Sequence, residues 1–407
     1  MQQETTHRRM RTAIVGGGAA GFFLAVNLKE MCPQMEVVIF EKSKKVLAKV
    51  EVSGGGRCNC TNSFASVSDL QQVYPRGHRL MKRLMKGFGH EDAYAWFERH
   101  GVPLTTQTDE CVFPKAQDSH AIINCFVSAA QRHGVDIRTG CGVESLDELA
   151  SFDFICVTTG GQPRAEGLRW LAEKGHETVS PAPSLFTFSI RDDALKALTG
   201  TVVEGATAFI PGTGFRATGP LLVTHWGMSG PAILKLSSHA ARHLAEQGYR
   251  SALSVNWLSL RDTEVADALR SAILAHPQKL LPTVSPLGLP ARLWEYLLKK
   301  ALGDHAACRW SALGKKDVNK LANQLCNDSY QIVGRAAFKD EFVTCGGVAL
   351  SAVNPSTLES RHVENLYFAG EVLDIDGVTG GFNFQAAWTT SYTVAQSICK
   401  KVMTAEP

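Results

Sequence analysis

The apolar positions along the chain fall into two textures. Up to about residue 160, short apolar runs alternate with stretches in which apolar residues recur every three or four positions, the mark of strands alternating with amphipathic helices. Arg11–Val15 reads as a strand feeding a helix from about Ala19, and residues 37–41 as a second strand. Helices are expected over residues 78–88, 91–100 (with Gly101 as a stop) and 119–133 (ending at Gly134). Strands are expected over 110–114, 135–138 and 152–161, the last running into a Gly-Gly turn. This alternation predicts a mostly parallel sheet covered on both faces. From residue 184 the runs become shorter and closer: 185–190, 201–203, 207–210 and 219–224. That spacing predicts an antiparallel barrel or sandwich. Helices follow at about 263–275, 290–302 and 316–326, then strands at 330–335 and 341–344. A last strand over 365–371 ends in Gly370-Glu371 and precedes an apolar helix, about 384–400.

Chemistry enters at the strand ends. The first strand runs into Gly16-Gly17-Gly18-Ala19-Ala20-Gly21, a G-x-G-x-x-G turn opening a helix, and Glu41 ends the next strand 20 residues after Gly21. Glycines let the backbone approach a pyrophosphate at the positive end of the helix, and the acid falls where the ribose hydroxyls of an adenine dinucleotide lie. Two further segments decide between FAD and NAD. Residues 53–62 (S-G-G-G-R-C-N-C-T-N) carry three glycines and are expected to be a loop passing close to something large and flat. Gly380-Gly381-Phe382-Asn383 precede the C-terminal helix, whose N-terminus would face the flavin N1/C2=O edge and stabilise the anionic reduced ring. An NAD dehydrogenase needs no such return of the C-terminus, so non-covalent FAD is the expected cofactor. No second G-x-G-x-x-G follows another strand; residues 212–219 have the wrong spacing. NAD(P)H, if it is the electron donor, is expected to dock without a domain of its own.

Composition narrows the class. With 407 residues and 44% apolar content the chain can build two or three cores. A net charge of +3 gives no strong steer toward nucleic acid or membrane, and no apolar run reaches the roughly 18 residues of a span. The polar first ten residues carry no signal-peptide core, and eleven cysteines without a C-x-x-C pair argue against zinc and against a disulfide framework. No metal is expected, and a reducing cytoplasm is the expected location.

The combination of G-G-G-A-A-G, G-G-G-R-C-N-C-T-N, T-H-W-G-M-S-G-P (224–231) and L-Y-F-A-G-E-V-L-D-I-D-G-V-T-G-G-F-N resembles the HI0933-like family of bacterial flavoproteins. Its members are also described as NAD(P)/FAD-dependent oxidoreductases of BaiN or aminoacetone-oxidase type. The resemblance spans nearly the whole chain; only 49–53 is less regular than the family pattern. It implies an α/β fold: an FAD-binding Rossmann-type, glutathione-reductase-like domain with an inserted antiparallel β-domain and a small helical subdomain. The expected boundaries are 1–183 with 345–407 for the FAD domain, 184–260 with 328–344 for the β-domain, and 261–327 for the helices.

Within that frame, Gly16, Gly18 and Gly21 would cradle the pyrophosphate, Glu41 the adenosine ribose, and the Val143 backbone the adenine. Arg57 and Asn59 would lie toward the isoalloxazine, Glu371 at the ribityl or pyrophosphate region, and Gly380, Gly381 and Asn383 at the N1/C2=O edge. Ala19, Ala20, Lys42, Gly55, Gly56, Cys58, Thr159, Gly160, Gly370, Asp376 and Phe382 complete the candidate contacts. His225 is the candidate acid, with a strand-end structural role equally open. Cys58 and Cys60 read as packed thiols beside the ring, because an i,i+2 disulfide departs from normal geometry. Arg76, His78, Arg79, Lys82, Arg83 and Lys86 read as the solvated face of an amphipathic helix. The expected activity is an FAD oxidoreductase of a small organic substrate, which would enter between the FAD domain and the β-domain. Amine oxidation, RNA modification and non-catalytic redox sensing stand as alternatives, with no stable nucleic acid partner expected.

Overall fold

The computed structural model describes residues 9–336 and 343–405. The chain divides into two compact units, Met1–Ala182 with Val343–Pro407, and Pro183–Phe342. The first is built on a five-stranded parallel sheet. Across it the strands run Leu366–Phe368, Phe154–Val157, Arg11–Val15, Glu36–Glu41 and Asp136–Thr139. Ile14, with Ile39 and Cys156 beside it in register, packs into the larger core and Ala13 and Val15 into the smaller one, so the central strand is apolar on both faces, as a covered parallel sheet requires.

Helix Ala19–Met31 follows the first strand and is buried from Ala20 to Leu28, leaving no polar face. A helix that is apolar all round must be covered on several sides. Here Phe23 meets Trp96 at 4.7 Å and Trp388 of the C-terminal helix at 5.1 Å. That helix, Phe382–Ala405, starts two residues earlier than its apolar pattern suggested, so the pair Phe382-Asn383 lies in its first turn.

Residues 53–62 depart from the expected loop in two ways. Helix Ala48–Gly56 runs into the glycines, although Ser53, Gly54 and Gly55 leave helical geometry, with Gly54 and Gly55 at φ of 57° and 69°. Thr61–Asn62 is a short strand on Cys111–Pro114, which also pairs with Leu104–Thr106. The strand predicted over 341–344 differs as well. Glu341 and Phe342 lie outside the described residues, and Val343–Val348 continues as one strand beside Thr178–Ser184 in a two-stranded sheet.

In the second unit six strands close into a barrel. The segments read separately as 201–203 and 207–210 are one strand, Val202–Phe209, interrupted by a register shift between Val203 and Ala206. The strand expected over 185–190 shortens to Phe188–Ile190, because Leu185 takes a left-handed φ of 55° that breaks an extended run. Helices Asp262–Ala275, Ala291–Leu302 and Lys315–Cys326 share one apolar core with the barrel, through Leu269, Trp294, Leu297 and Leu321 against Leu253 and Ile332. Helices Pro231–His239 and Ala241–Glu246 and strand Ser251–Asn256 were not anticipated.

Candidate functional site

The first glycine turn separates into three physical roles. Gly16 has φ of 115°, and a Cβ there would lie 2.5 Å from the carbonyl oxygen of Thr158. Gly21 packs its helix onto the strand end, where a Cβ would fall 2.0 Å from the Gly16 oxygen. Gly18, in contrast, faces open space, with nothing within 4 Å of a Cβ, and it begins the helix without a side-chain cap. Tight turn, open approach and close helix packing are the three demands of a pyrophosphate-binding turn.

Glu41 is fixed by its neighbours. Its Oε2 accepts from the Gly17 N–H at 2.8 Å, and its Oε1 accepts from the Ser43 N–H and Oγ at 2.8 Å each. Three donors on about four lone-pair sites leave acceptor capacity on Oε2. Lys42 beside it is exposed. Residues 140–143 run alongside, with the Cys141 N–H on the Glu41 oxygen at 2.9 Å, and Val143 half-buried against the small core around Ala13, Val15 and Leu149.

The loop at 53–62 and the start of the C-terminal helix come together. Asn62 Nδ2 donates to the Gly380 oxygen at 3.0 Å, and Thr61 Oγ1 donates to Gln385 Oε1 at 2.6 Å. With its amide turned so that the nitrogen donates to the Thr61 oxygen at 3.0 Å, Asn59 accepts from the Gly381 N–H at 3.2 Å. Gly381 tolerates nothing larger, since a Cβ would meet the Thr61 oxygen at 2.2 Å. Gly55 and Gly56 face open space on the same loop. Arg57 lays its guanidinium over the Phe113 ring at 4.2 Å and is tethered to the Gly54 oxygen and Gln117 Oε1 at 3.2 and 3.3 Å.

Glu371 gathers a second group. Its Oε1 accepts from the Thr344 N–H at 2.8 Å, its Oε2 faces Lys49 Nζ at 3.2 Å, and a Cβ on Gly161 would sit 2.5 Å from Oε1. Lys49, unassigned by sequence, thus joins Glu371 and the turn after Thr159 and Gly160. Gly370 is buried and bonded to Thr390 Oγ1 at 2.9 Å.

Several candidates do something other than expected. Asp376 has no accessible surface, and both its oxygens are held by Arg76, so its carboxylate closes an internal pair rather than facing a ligand. Arg76, read as part of a solvated basic face, is therefore largely covered, while Arg79, Lys82, Arg83 and Lys86 are exposed as expected. The Asn383 amide is taken up by Gly377, whose N–H and oxygen it bonds at 2.8 and 2.9 Å. Phe382 is buried, edge-on to Phe64 at 5.1 Å. Cys58 and Cys60 have no accessible surface and are free thiols within the core, covered by protein on all sides. Burial pushes the Cys58 thiol up to about 12, and burial beside Cys58 raises Cys60 as well. A thiol so held carries no thiolate near neutrality, which argues against dithiol redox chemistry. His225 is exposed in the second unit, in the two-residue turn between Thr224 and Gly227, with Trp226 5.1 Å from its ring. Among the described residues no group of three metal-ligating side chains occurs, and no helix is long and apolar enough to cross a membrane.

The model of the HI0933-like protein Rossmann domain matches residues 10–397. The chain belongs to the HI0933-like family. This family membership makes it a flavoprotein oxidoreductase on a Rossmann fold. It is 26% identical to a 3-dehydro-bile acid delta(4,6)-reductase of Clostridium scindens, covering 96% of this chain and 99% of the relative. It is 27% identical to a ribosomal RNA dihydrouridine synthase of Escherichia coli, covering 96% and 98%. Among solved structures, a flavocytochrome c3 fumarate reductase in an open conformation aligns with a TM-score of 0.44 at 16% identity, over 97% of this chain and 78% of that one.

Proposed function

We propose that the first unit binds FAD non-covalently and that the chain uses it, recharged by NAD(P)H, to reduce an electron-poor carbon–carbon double bond in a small organic substrate. The observation that carries this reading is the convergence of four separate segments in one unit. Hydrogen bonds join the open Gly18 turn to Glu41 through Gly17, and the 54–62 loop to Gly380 and Gln385 at the start of the C-terminal helix, while Ser391 of that helix donates to the Ala20 oxygen of the helix after the turn. The residues fit the cofactor. Gly18, Gly55 and Gly56 leave room that a Cβ would fill, and Glu41 Oε2 keeps acceptor capacity for a ribose hydroxyl.

When bound, FAD supplies hydride chemistry; the protein holds and tunes it. Gly18 and the first turn of helix Ala19–Met31 would offer N–H groups to the pyrophosphate, and Glu41 would hold the ribose. Lys49 and Glu371 would lie toward the pyrophosphate and ribityl region. The N-terminus of Phe382–Ala405 would favour negative charge on the reduced ring. No second G-x-G-x-x-G follows a strand in the sequence, which supports transient docking of NAD(P)H at the flavin. The names of the two relatives support the double bond as target, since each describes hydrogen added at unsaturated carbon.

The test is anaerobic stopped-flow on the purified protein, following the oxidised flavin band as NADH or NADPH is added. Rapid bleaching, followed by reoxidation with a conjugated enone, supports the proposal. Oxidised FAD that neither nucleotide bleaches would sink it and turn the search to amines. A second reading, reduction of a base in RNA, draws on the dihydrouridine synthase relative and on exposed Arg79, Lys82, Arg83 and Lys86. Reoxidation by ribosomal RNA but not by enones would favour it.

A further inference from the structure

We infer that Arg76 is a positioning residue which, through Asp376, fixes the loop leading into the C-terminal helix and thereby sets the reduction potential of the cofactor. This rests on the FAD reading above. Arg76 Nε and Nη2 donate to the two carboxylate oxygens of Asp376, a fork that fixes direction as well as distance. The Asp376 side chain has no exposure and that of Arg76 only 13%, so water does not reach the carboxylate and reaches the guanidinium little.

The ion pair is one of several clasps along two antiparallel segments. Arg76 and Asp376 also pair through the backbone. The Val378 N–H donates to the Val73 oxygen at 2.8 Å, and Tyr74 Oη donates to the Phe382 oxygen at 2.8 Å. Gly377 is locked between them, since a Cβ would lie 2.7 Å from Phe382 Cβ and 3.3 Å from the Val73 oxygen. Asn383 then bonds Gly377 at both amide atoms, so the loop and the first helical turn move as one piece. Of these clasps only Arg76–Asp376 joins two charges, and a two-point fork is the one that a lysine cannot copy. A loosened loop lets the helix start drift from the ring it would polarise, and the interaction of a helix terminus with charge fades within a single turn.

The experiment uses the full-length FAD-loaded protein, with Arg76→Lys and the double variant Arg76→Met/Asp376→Leu. FAD-to-protein ratio, thermal unfolding and the midpoint potential by dye equilibration are measured together. The double variant removes both charges and leaves no buried carboxylate unpaired, so its fold is the better protected. The expected result is folded, FAD-loaded variants whose reduction equilibrium constant falls about tenfold, ~30 mV lower for a two-electron couple. Loaded variants with the wild-type potential and visible spectrum overturn the inference and leave the FAD reading standing. If neither variant folds, the pair belongs to the fold alone and the inference is equally overturned. Wild-type protein that takes up no FAD overturns the cofactor reading itself.

Discussion

Trp388 donates its indole N–H to the carbonyl oxygen of Cys60 at 2.7 Å, across 328 residues of sequence. Both groups are buried, so the bond cannot be exchanged for one to water. It ties the C-terminal helix to the glycine-rich loop at the point where Thr61 and Asn62 also reach residues 380–385. Trp388→Phe keeps most of the apolar contact with Phe23 and Phe126 but strands the Cys60 carbonyl. The expected loss is about 1–3 kcal/mol in urea unfolding, with a lower FAD-to-protein ratio on purification. A variant as stable and as yellow as wild type would mean that the two segments are held together elsewhere.

Glu41 offers a sharper test of the cofactor cradle. Its carboxylate receives three hydrogen bonds from Gly17 and Ser43, and Glu41→Gln turns an NH₂ group onto one of those donors. Both Glu41→Gln and Glu41→Ala should purify with little FAD, and ultraviolet–visible spectra of equal protein amounts check it. A full complement of FAD in either variant refutes the ribose assignment.

Of these two cases only the acid at the end of the second strand was legible in the sequence, since the Trp388–Cys60 bond spans 328 residues. The turn geometry at Gly16, Gly18 and Gly21 and the strand end at Glu41 could be read because their demands are local: a positive φ, a close approach, an acid closing a strand. The parallel sheet was legible for the same reason, since strand and helix periods differ within a few residues. Arg76 was misread because its spacing matches Arg79 and Lys82, while its partner Asp376 lies 300 residues away. Asp376 was misread with it, because a Gly-rich acidic loop looks the same whether the carboxylate faces a ligand or an arginine. Gly230-Pro231 does carry a helix-start signal, a proline at the first helical position, and the helix over Pro231–His239 could have been found from it. The single strand Val202–Phe209 could not, because its irregularity at 203–206 is defined only by its partner strand.

Cys58 and Cys60 predict a pH signature. The folded thiols are raised, Cys58 to about 12, while in the unfolded chain they ionise near the ordinary value of about 8.5. Below that value both states are protonated and the contribution to stability is complete. Between there and about 12 the unfolded state loses its protons first, so stability falls as pH rises. Cys58→Ser/Cys60→Ser should make this alkaline slope shallower in denaturant titrations between pH 8 and 10, the thiols of Cys125, Cys156, Cys326 and Cys399, also raised by burial, keeping their share, and leave flavin reduction largely intact. Complete loss of reduction in a folded, FAD-loaded double variant would restore the dithiol chemistry that burial argues against.

The second unit is expected to depend on one buried acid. Asp328 has no exposure and sits among four donors: Lys300 Nζ at 2.6 Å, Trp257 Nε1 at 2.9 Å, Gln324 Nε2 and Tyr330 Oη. These come from two helices, the barrel strand Asp328–Arg335 and the segment after Ser251–Asn256, so one carboxylate joins the helices to the barrel. Burial of the Tyr330 phenol, and next the charge of Asp328, raise that phenol well above its ordinary value. Asp328→Asn turns an NH₂ group toward two of the four donors and removes the counter-charge of Lys300. That lysine is 29% exposed and can turn to water, which limits the penalty to the lower end of the 3–5 kcal/mol typical of a broken buried pair. The expected loss is therefore about 3 kcal/mol, read by denaturant unfolding followed through tryptophan fluorescence, because Trp257 lies in the network. A loss below about 1 kcal/mol would mean that the apolar core around Trp294 and Leu297, rather than Asp328, joins the helices to the barrel.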